Sequence, residues 1–252
     1  MPVGNPLAAN LFKIAVLTSA IAPLGAPNGV PSAAGGTVAA GTYYGKVTAI
    51  NAVGESIGSY ESVGIVTGGA TSSIVWTWAP VPGATSYRLY VGTAPGAEGS
   101  YFASAGAANT VTQTTTAGTA GAIPGIAAQT FVPLSLMNSF DVSGAENVAG
   151  FDTFDSDDPI EFAGKQRRTL SASGYLADST DSGQAALFAA AAAKTPVGIR
   201  GLWDGATNGF FQVCRVNAYK AGTRAGNNPT TASFDFLPLS AAGVVIGTGP
   251  LL

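Results

Sequence analysis

Period-two alternation in three short stretches sets the fold class for the middle of this chain. In TYYGKVTAIN one face carries Tyr43, Gly45, Val47 and Ala49. In SIVWTW it carries Ile74, Trp76 and Trp78, and in SYRLYVG it carries Tyr87, Leu89 and Val91. Alternation puts every second side chain on one face, the pattern of a strand packed on a core along one side. Turn signals at Val53-Gly54, at Gly68-Gly69 and from Pro80 to Gly83 separate the stretches. The runs are too short, and too rich in aromatic and β-branched residues, for helices. The expectation is an all-β sandwich with those residues inside. Tyr44 and Tyr90 fall on the opposite face and are the candidates for an exterior contact. Two runs of Pro, Gly, Ala, Ser and Thr, Pro23 to Gly36 and Gln113 to Gly125, bracket the block and read as linkers.

The remainder has a different rhythm. Residues 14–22, IAVLTSAIA, end in an A-x-A pattern, but the only basic residue ahead of the run is Lys13, which abuts it. A secretory leader wants a positive segment first, and a membrane span wants ~20 residues, so a buried strand is expected. Phe131 to Val142 reads as one strand or two, followed by an acidic loop. Gln166 to Leu176 alternates, with Arg168, Leu170, Ala172 and Gly174 on one face. One helix is expected over Ser182–Lys194: Asp181 is a good N-cap, Gln184 completes a capping box, the alanine run has high helix propensity, and Pro196 stops it. Strands follow near Val197–Trp203, Phe210–Tyr219 and Ala232–Leu239. Strands, one helix, then strands describe a sheet covered by a single helix.

Charge narrows the functional classes. Charged residues are 10% of the 252-residue chain, against a usual ~25%. A chain with so little surface charge is expected to hide much of its surface against neighbours. The net charge is −3, and the only basic cluster is Lys165, Arg167 and Arg168, which is no footprint for gripping nucleic acid. Histidine is absent, which removes the usual base of nucleophile triads and the commonest zinc ligand. The single cysteine, Cys214, sits in an apolar run and reads as a small buried hydrophobe. No glycine-rich stretch is followed by Lys-Ser/Thr, so no phosphate loop is present. The expectation is a protein that is not an enzyme and carries no cofactor and no metal.

The segment Asp141 to Glu161 holds Asp141, Glu146, Asp152, Asp155, Asp157, Asp158 and Glu161 without a Lys or Arg. It lacks the glycine and spacing of an EF-hand loop, and sequence cannot supply the carboxylate separation that glycoside cleavage needs. Two readings stand ahead of these: a solvated loop, and a contact in which Asp155, Asp157, Asp158 and Glu161 meet Lys165, Arg167 and Arg168 of another copy.

Two resemblances add to this. WTWAPVPGATSYRLYVGT (76–93) resembles the first core hairpin of fibronectin type III and related immunoglobulin-like domains, and GTYYGKVTAINAVGES (41–56) resembles their penultimate strand and turn. Here the tyrosine strand precedes the tryptophan strand, the reverse of the usual order, so the block is either a permuted relative or a sandwich of similar strand chemistry.

The second covers Arg168 to Gly209: a strand, a helix opening on Asp181, Gly183 and Gln184, the strand VGIRGLW and a turn closing on Gly209-Phe210. FFQVCRVNAYKAGT and TASFDFLPLSAAG follow. This order resembles the tail tube proteins of long-tailed bacteriophages. The resemblance implies a mainly β subunit, with residues 1–28 and 127–252 as the tube core and 29–126 as an inserted immunoglobulin-like sandwich. It implies self-assembly into stacked hexameric rings in the virion tail, from subunits made in the host cytoplasm. The partners implied are other copies, a tape measure protein, a tail tip or terminator protein, and double-stranded DNA passing without specific binding; no membrane is involved. A virion decoration or tail accessory protein, and a secreted carbohydrate-binding adhesin using the sandwich aromatics, are the alternatives.

Overall fold

The computed structural model describes residues 13–69, 71–151, 160–176, 181–202, 209–222, 230–239 and 244–246. These residues are mainly β, forming three antiparallel sheets and one α-helix. They divide into two compact units: Leu17–Val132, and the flanking segments through Val16 and from Pro133 onward. Strand β1 (Lys13–Leu17) opens the chain and belongs to the sheet of the flanking unit. Ile14, Ala15 and Val16 are buried there, as expected for the start of the apolar run.

The unit Leu17–Val132 is built from β2 (Asn28–Ser32), β3 (Gly41–Ile50), β4 (Ile65–Thr67), β5 (Ser73–Thr77), β6 (Ser86–Gly92), β7 (Ser100–Ala103), β8 (Thr110–Gln113) and β9 (Thr119–Ala120). One sheet runs β2-β5-β8, the other β4-β3-β6-β7-β9. Their inner faces share one core containing Tyr43, Val47, Ala49, Ile74, Trp76, Trp78, Tyr87, Leu89 and Val91, the set that the alternation marks. Trp76 is fully buried, and its indole N–H donates to Gln113 Oε1 at 3.0 Å, so the large ring brings no unpaired donor into the core.

Both linkers expected from composition contain strands of the sandwich. β2 lies within the first and β9 within the second. β2 hides from a sequence reading because it holds Gly29 and Pro31. Pro31 is tolerated because β2 is an edge strand. Gly29 is a packing residue: a Cβ there would sit 2.9 Å from Ile65 Cγ1 and 3.0 Å from the Trp76 ring. The outer side of β3 is closed by a non-strand segment. Ser56, Ser59 and Ser62 donate their backbone N–H groups to Ala49, Val47 and Gly45 at 2.8–2.9 Å. The hydroxyls of the same serines accept from the N–H groups of the same three residues at 2.9–3.0 Å. Each serine thus satisfies both polar groups of one strand residue, as a ladder partner would.

The other unit continues with a 3₁₀ turn (Ile126–Ala128) leading into β10 (Phe131–Pro133), then β11 (Met137–Phe151), β12 (Ile160–Tyr175), α1 (Ser182–Ala193), β13 (Pro196–Leu202), β14 (Gly209–Ala221), β15 (Thr231–Pro238) and β16 (Val244–Ile246). With β1 they make an eight-stranded sheet in the order β10-β1-β13-β14-β15-β12-β11, where β16 pairs the start of β14. The helix is where the sequence puts it. Asp181 Oδ1 accepts from the N–H of Gln184 at 2.7 Å, and Lys194 ends the helix in the left-handed region at φ 54°. Its N–H and that of Thr195 return to Ala191 and Ala190, closing the last turn. Phe188 packs edge-on against Phe234 and Tyr219, covering β14 and β15.

Phe140 on β11 stacks on Phe210 of β14 with ring centroids 5.5 Å apart. Two strands separate β11 from β14 in the sheet, so a flat sheet would hold them roughly 14 Å apart. The sheet is therefore strongly curled, with both rings on its concave side.

Candidate assembly surfaces

The acidic stretch behaves differently from expectation over much of its length. The strand does not stop at Val142 but runs to Phe151, paired through Gly150↔Glu161 and Phe151↔Ile160. Asp141 and Glu146 lie on β11 and Glu161 on β12, so the loop is shorter than the composition suggests. The alternation rule missed this because Ser143 to Phe151 carries no apolar–polar alternation in the sequence. β12 pairs β15 only from Leu170 to Tyr175, whereas it pairs β11 over almost its full length. Among the described residues, Ile160–Thr169 and their partners on β11 thus form a two-stranded arm beyond the sheet. Asp152, Asp155, Asp157 and Asp158 lie outside the described residues. Lys165, Arg167 and Arg168 lie on the β12 side of the arm, where Arg167 is opposite Ala145 and Arg168 opposite Gly144.

β11 is the end strand of the sheet, 15 residues long, and among the described residues it pairs only with β12. It contains no Pro and no Lys, and its only charged residues are Asp141 and Glu146. The opposite end is the three-residue β10. A long, weakly charged edge strand is a template for pairing with another chain.

The sandwich presents a contrasting surface. Residues 17–132 contain only five charged residues, Lys46, Glu55, Glu61, Arg88 and Glu98. All are ion-paired: Lys46 with Glu61 (3.4 Å) and Glu98 (3.1 Å), and Arg88 with Glu55 (2.5 Å). Glu55 also accepts from Thr48 Oγ1 at 2.6 Å and from the Tyr90 hydroxyl at 2.9 Å, and the Arg88 guanidinium sits 4.5 Å from the centre of the Tyr101 ring.

Tyr90 is accordingly not an exterior contact. It is 1% exposed, and burial together with its bond to Glu55 pushes its pKa up to about 12. The alternation puts it on the outer face of its strand, but Glu55, Tyr101 and Arg88 close over that face. Tyr44 is half-buried. Trp76 and Trp78 lie in the core, which takes from the sandwich the aromatic platform that a sugar-binding face would use. Glu98 is nearly buried, which raises its pKa; Glu61 raises it further, and Lys46 opposes both. Among the described residues its Oε1 has no hydrogen-bond partner. Sequence reasoning missed this network, although the scarcity of charge was itself a signal: a few charges along a sheet are held by pairing or not at all.

No protein-family model matches the chain, and no curated protein matches it. Several solved structures are similar to it, among them three that match over about half of the chain. One is a hybrid structure of the SPP1 tail tube from solid-state NMR and cryo-electron microscopy: 13% identity, 50% of this chain, 73% of that one, TM-score 0.39. Another is the tail of an empty GTA particle with C6 symmetry: 10% identity, 46% and 87% coverage, TM-score 0.36. The third is the virion of a native gene transfer agent particle: 7% identity, 46% and 89% coverage, TM-score 0.37.

Proposed function

We propose that this chain is a non-enzymatic structural subunit that assembles through its curled sheet into the rings of a phage-type tail tube, located in the virion tail. The observation that carries the proposal is the 15-residue edge strand β11 on a strongly curled sheet. Curvature brings the ends of a sheet around, and edge-to-edge pairing between copies removes the open edges that an isolated subunit leaves. Six copies per ring would close such a sheet into a barrel around a lumen. The arm of β11 and β12 would reach a neighbouring ring, where Asp155, Asp157, Asp158 and Glu161 of one copy would meet Lys165, Arg167 and Arg168 of the next. DNA would pass through the lumen without a basic surface to hold it. A tape measure and a tip or terminator protein would be the further partners.

Residues 17–132 would be an immunoglobulin-like insertion on the tube exterior, with Tyr44 the remaining candidate for a contact. Its pairing supports a permuted relative of the fibronectin type III sandwich. Tyrosine strand β3 precedes tryptophan strand β5 in the chain, yet β3 lies between β4 and β6 in one sheet while β5 lies between β2 and β8 in the other.

Negative-stain electron microscopy with light scattering, run over a concentration series, tests the assembly. Rings or hollow tubes with regularly spaced knobs are expected. A protein that stays monomeric at every concentration, including when seeded with preformed tail tips, would sink the proposal.

A further inference from the structure

We infer that Asp181, Gly183 and Gln184 form a latch that fixes where the edge strand β11 begins, which makes Gln184 a positioning residue for assembly. The inference rests on the tube reading for its consequence, but its geometry stands apart from that reading.

Between β10 and β11 the chain turns through Leu134–Leu136, and Leu136 takes a left-handed backbone at φ 60°. Two residues of the α1 start hold this turn. Asp181 uses one oxygen to cap the helix and the other, Oδ2, to accept from the N–H of Ser135 at 3.2 Å. Gln184, 2% exposed, spends both hydrogens of its amide on backbone carbonyls: Ser135 at 3.0 Å and Tyr175 at 2.9 Å. Tyr175 in turn donates its N–H to the carbonyl of Leu136 at 2.9 Å. One side chain thereby ties together the turn before β11, the end of β12 and the start of the helix.

The glycines at this point are required by close approach. A Cβ on Gly183 would collide with the carbonyl of Pro133, and one on Gly174 with the carbonyl of Leu136. Capping the helix needs Asp181 alone. The Gln184 side chain reaches outside the helix, to the carbonyls of Ser135 and Tyr175, and of these two segments the cap residue Asp181 touches only the first.

What the latch controls is register. β11 and β12 meet at Met137↔Gly174, then shift by one residue before Ser139↔Ser173. A one-residue slip turns every side chain of a strand to the other face. An inner strand is held in register from both sides, but among the described residues β11 has β12 on one side only. A fixed starting point at Ser135 adds a second constraint to the pairing with β12, so that every copy offers the same edge in the same register.

Hydrogen exchange on the full chain tests this, read at residues 135–141 against the amides in the body of α1. Gln184→Ala, and Gln184→Glu, which cannot donate to two carbonyls, are expected to speed exchange at 135–141 at least tenfold while leaving the helix body protected. The concentration needed for tube growth should rise at least tenfold. Unchanged exchange at 135–141, or equal loosening of the helix, overturns the latch and leaves Gln184 a helix residue. If both variants fail to fold, the wild-type protein decides: the amides of Ser135, Tyr175 and Gln184 should open as one unit with a common exchange rate, and independent opening overturns the inference. Wild-type protein that never forms tubes counts against the tube reading instead, and the exchange data separate the two failures.

Discussion

The sandwich and the curled sheet handle their exposed polar groups in opposite ways. In the sandwich, all five charged residues are paired with one another, three serines complete the outer side of β3, and the edge strand β2 carries a proline. The curled sheet keeps a 15-residue end strand whose only described partner is β12, and the arm of that strand extends past the sheet. A folded unit that satisfies itself needs no other copy; one that leaves a long edge does. On the proposed function, the difference gives folding robustness to the sandwich and assembly to the sheet.

The sharpest way to break that division is to reverse charge on the arm. Arg167→Glu with Arg168→Glu should abolish tube growth in electron microscopy and leave the melting of the monomer unchanged. Tubes at wild-type concentration would remove the arm from assembly. The converse is Trp76→Ala. It empties the centre of the sandwich and should cost about 3–5 kcal/mol in that unit's unfolding, seen by calorimetry as a shift of one transition while the sheet's transition holds. If both transitions move together, the two units do not fold independently.

Two smaller changes sharpen the account of the sandwich surface. Tyr90→Phe removes one donor to Glu55, which keeps Thr48 and Arg88. A loss of about 1 kcal/mol is expected in chemical denaturation, with no effect on tube growth. A tube defect without a stability change would restore Tyr90 as a contact residue.

Glu98→Gln should have the least effect at neutral pH and show itself in the pH profile. Burial raises the Glu98 pKa in the folded state above its ordinary 4.5. The folded protein therefore holds this proton to higher pH than the unfolded chain, and wild-type stability rises as pH falls from the raised value toward 4.5. The variant should lose that rise. Glu61 runs the other way: the hydrogen bond with Glu98 and the Gly96 N–H lower its pKa, so its contribution is lost only as pH falls below 4.5. A wild-type profile that is flat above 4.5 would argue against a shifted Glu98.

Much of this molecule follows from local pattern. The alternating residues from Tyr43 to Val91 are the sandwich core, because a half-buried strand leaves a period of two in any sequence that forms it. The α1 boundaries follow from Asp181, the alanine run and Pro196, because capping and helix propensity act over a few residues. The burial of Cys214, whose thiol pKa burial pushes up to about 12, follows from its apolar surroundings. Features that depend on what lies across space were not readable. β2 looks like a linker because Gly29 is chosen for the Trp76 ring, which stands 47 residues away in the chain. The arm looks like a loop because the acidic stretch after Val142 carries no period-two pattern of apolar residues. Tyr90 looks exterior because periodicity names a face and cannot say that Glu55, Arg88 and Tyr101 cover it. Gln184 looks like half of a helix cap until the fold brings Ser135 and Tyr175 to its amide. Sequence alone determined the strands that face a core and the ends of the helix, because those are set by neighbours along the chain. Tertiary structure alone decided which edge stays open and which polar groups find each other, because those depend on partners tens of residues away.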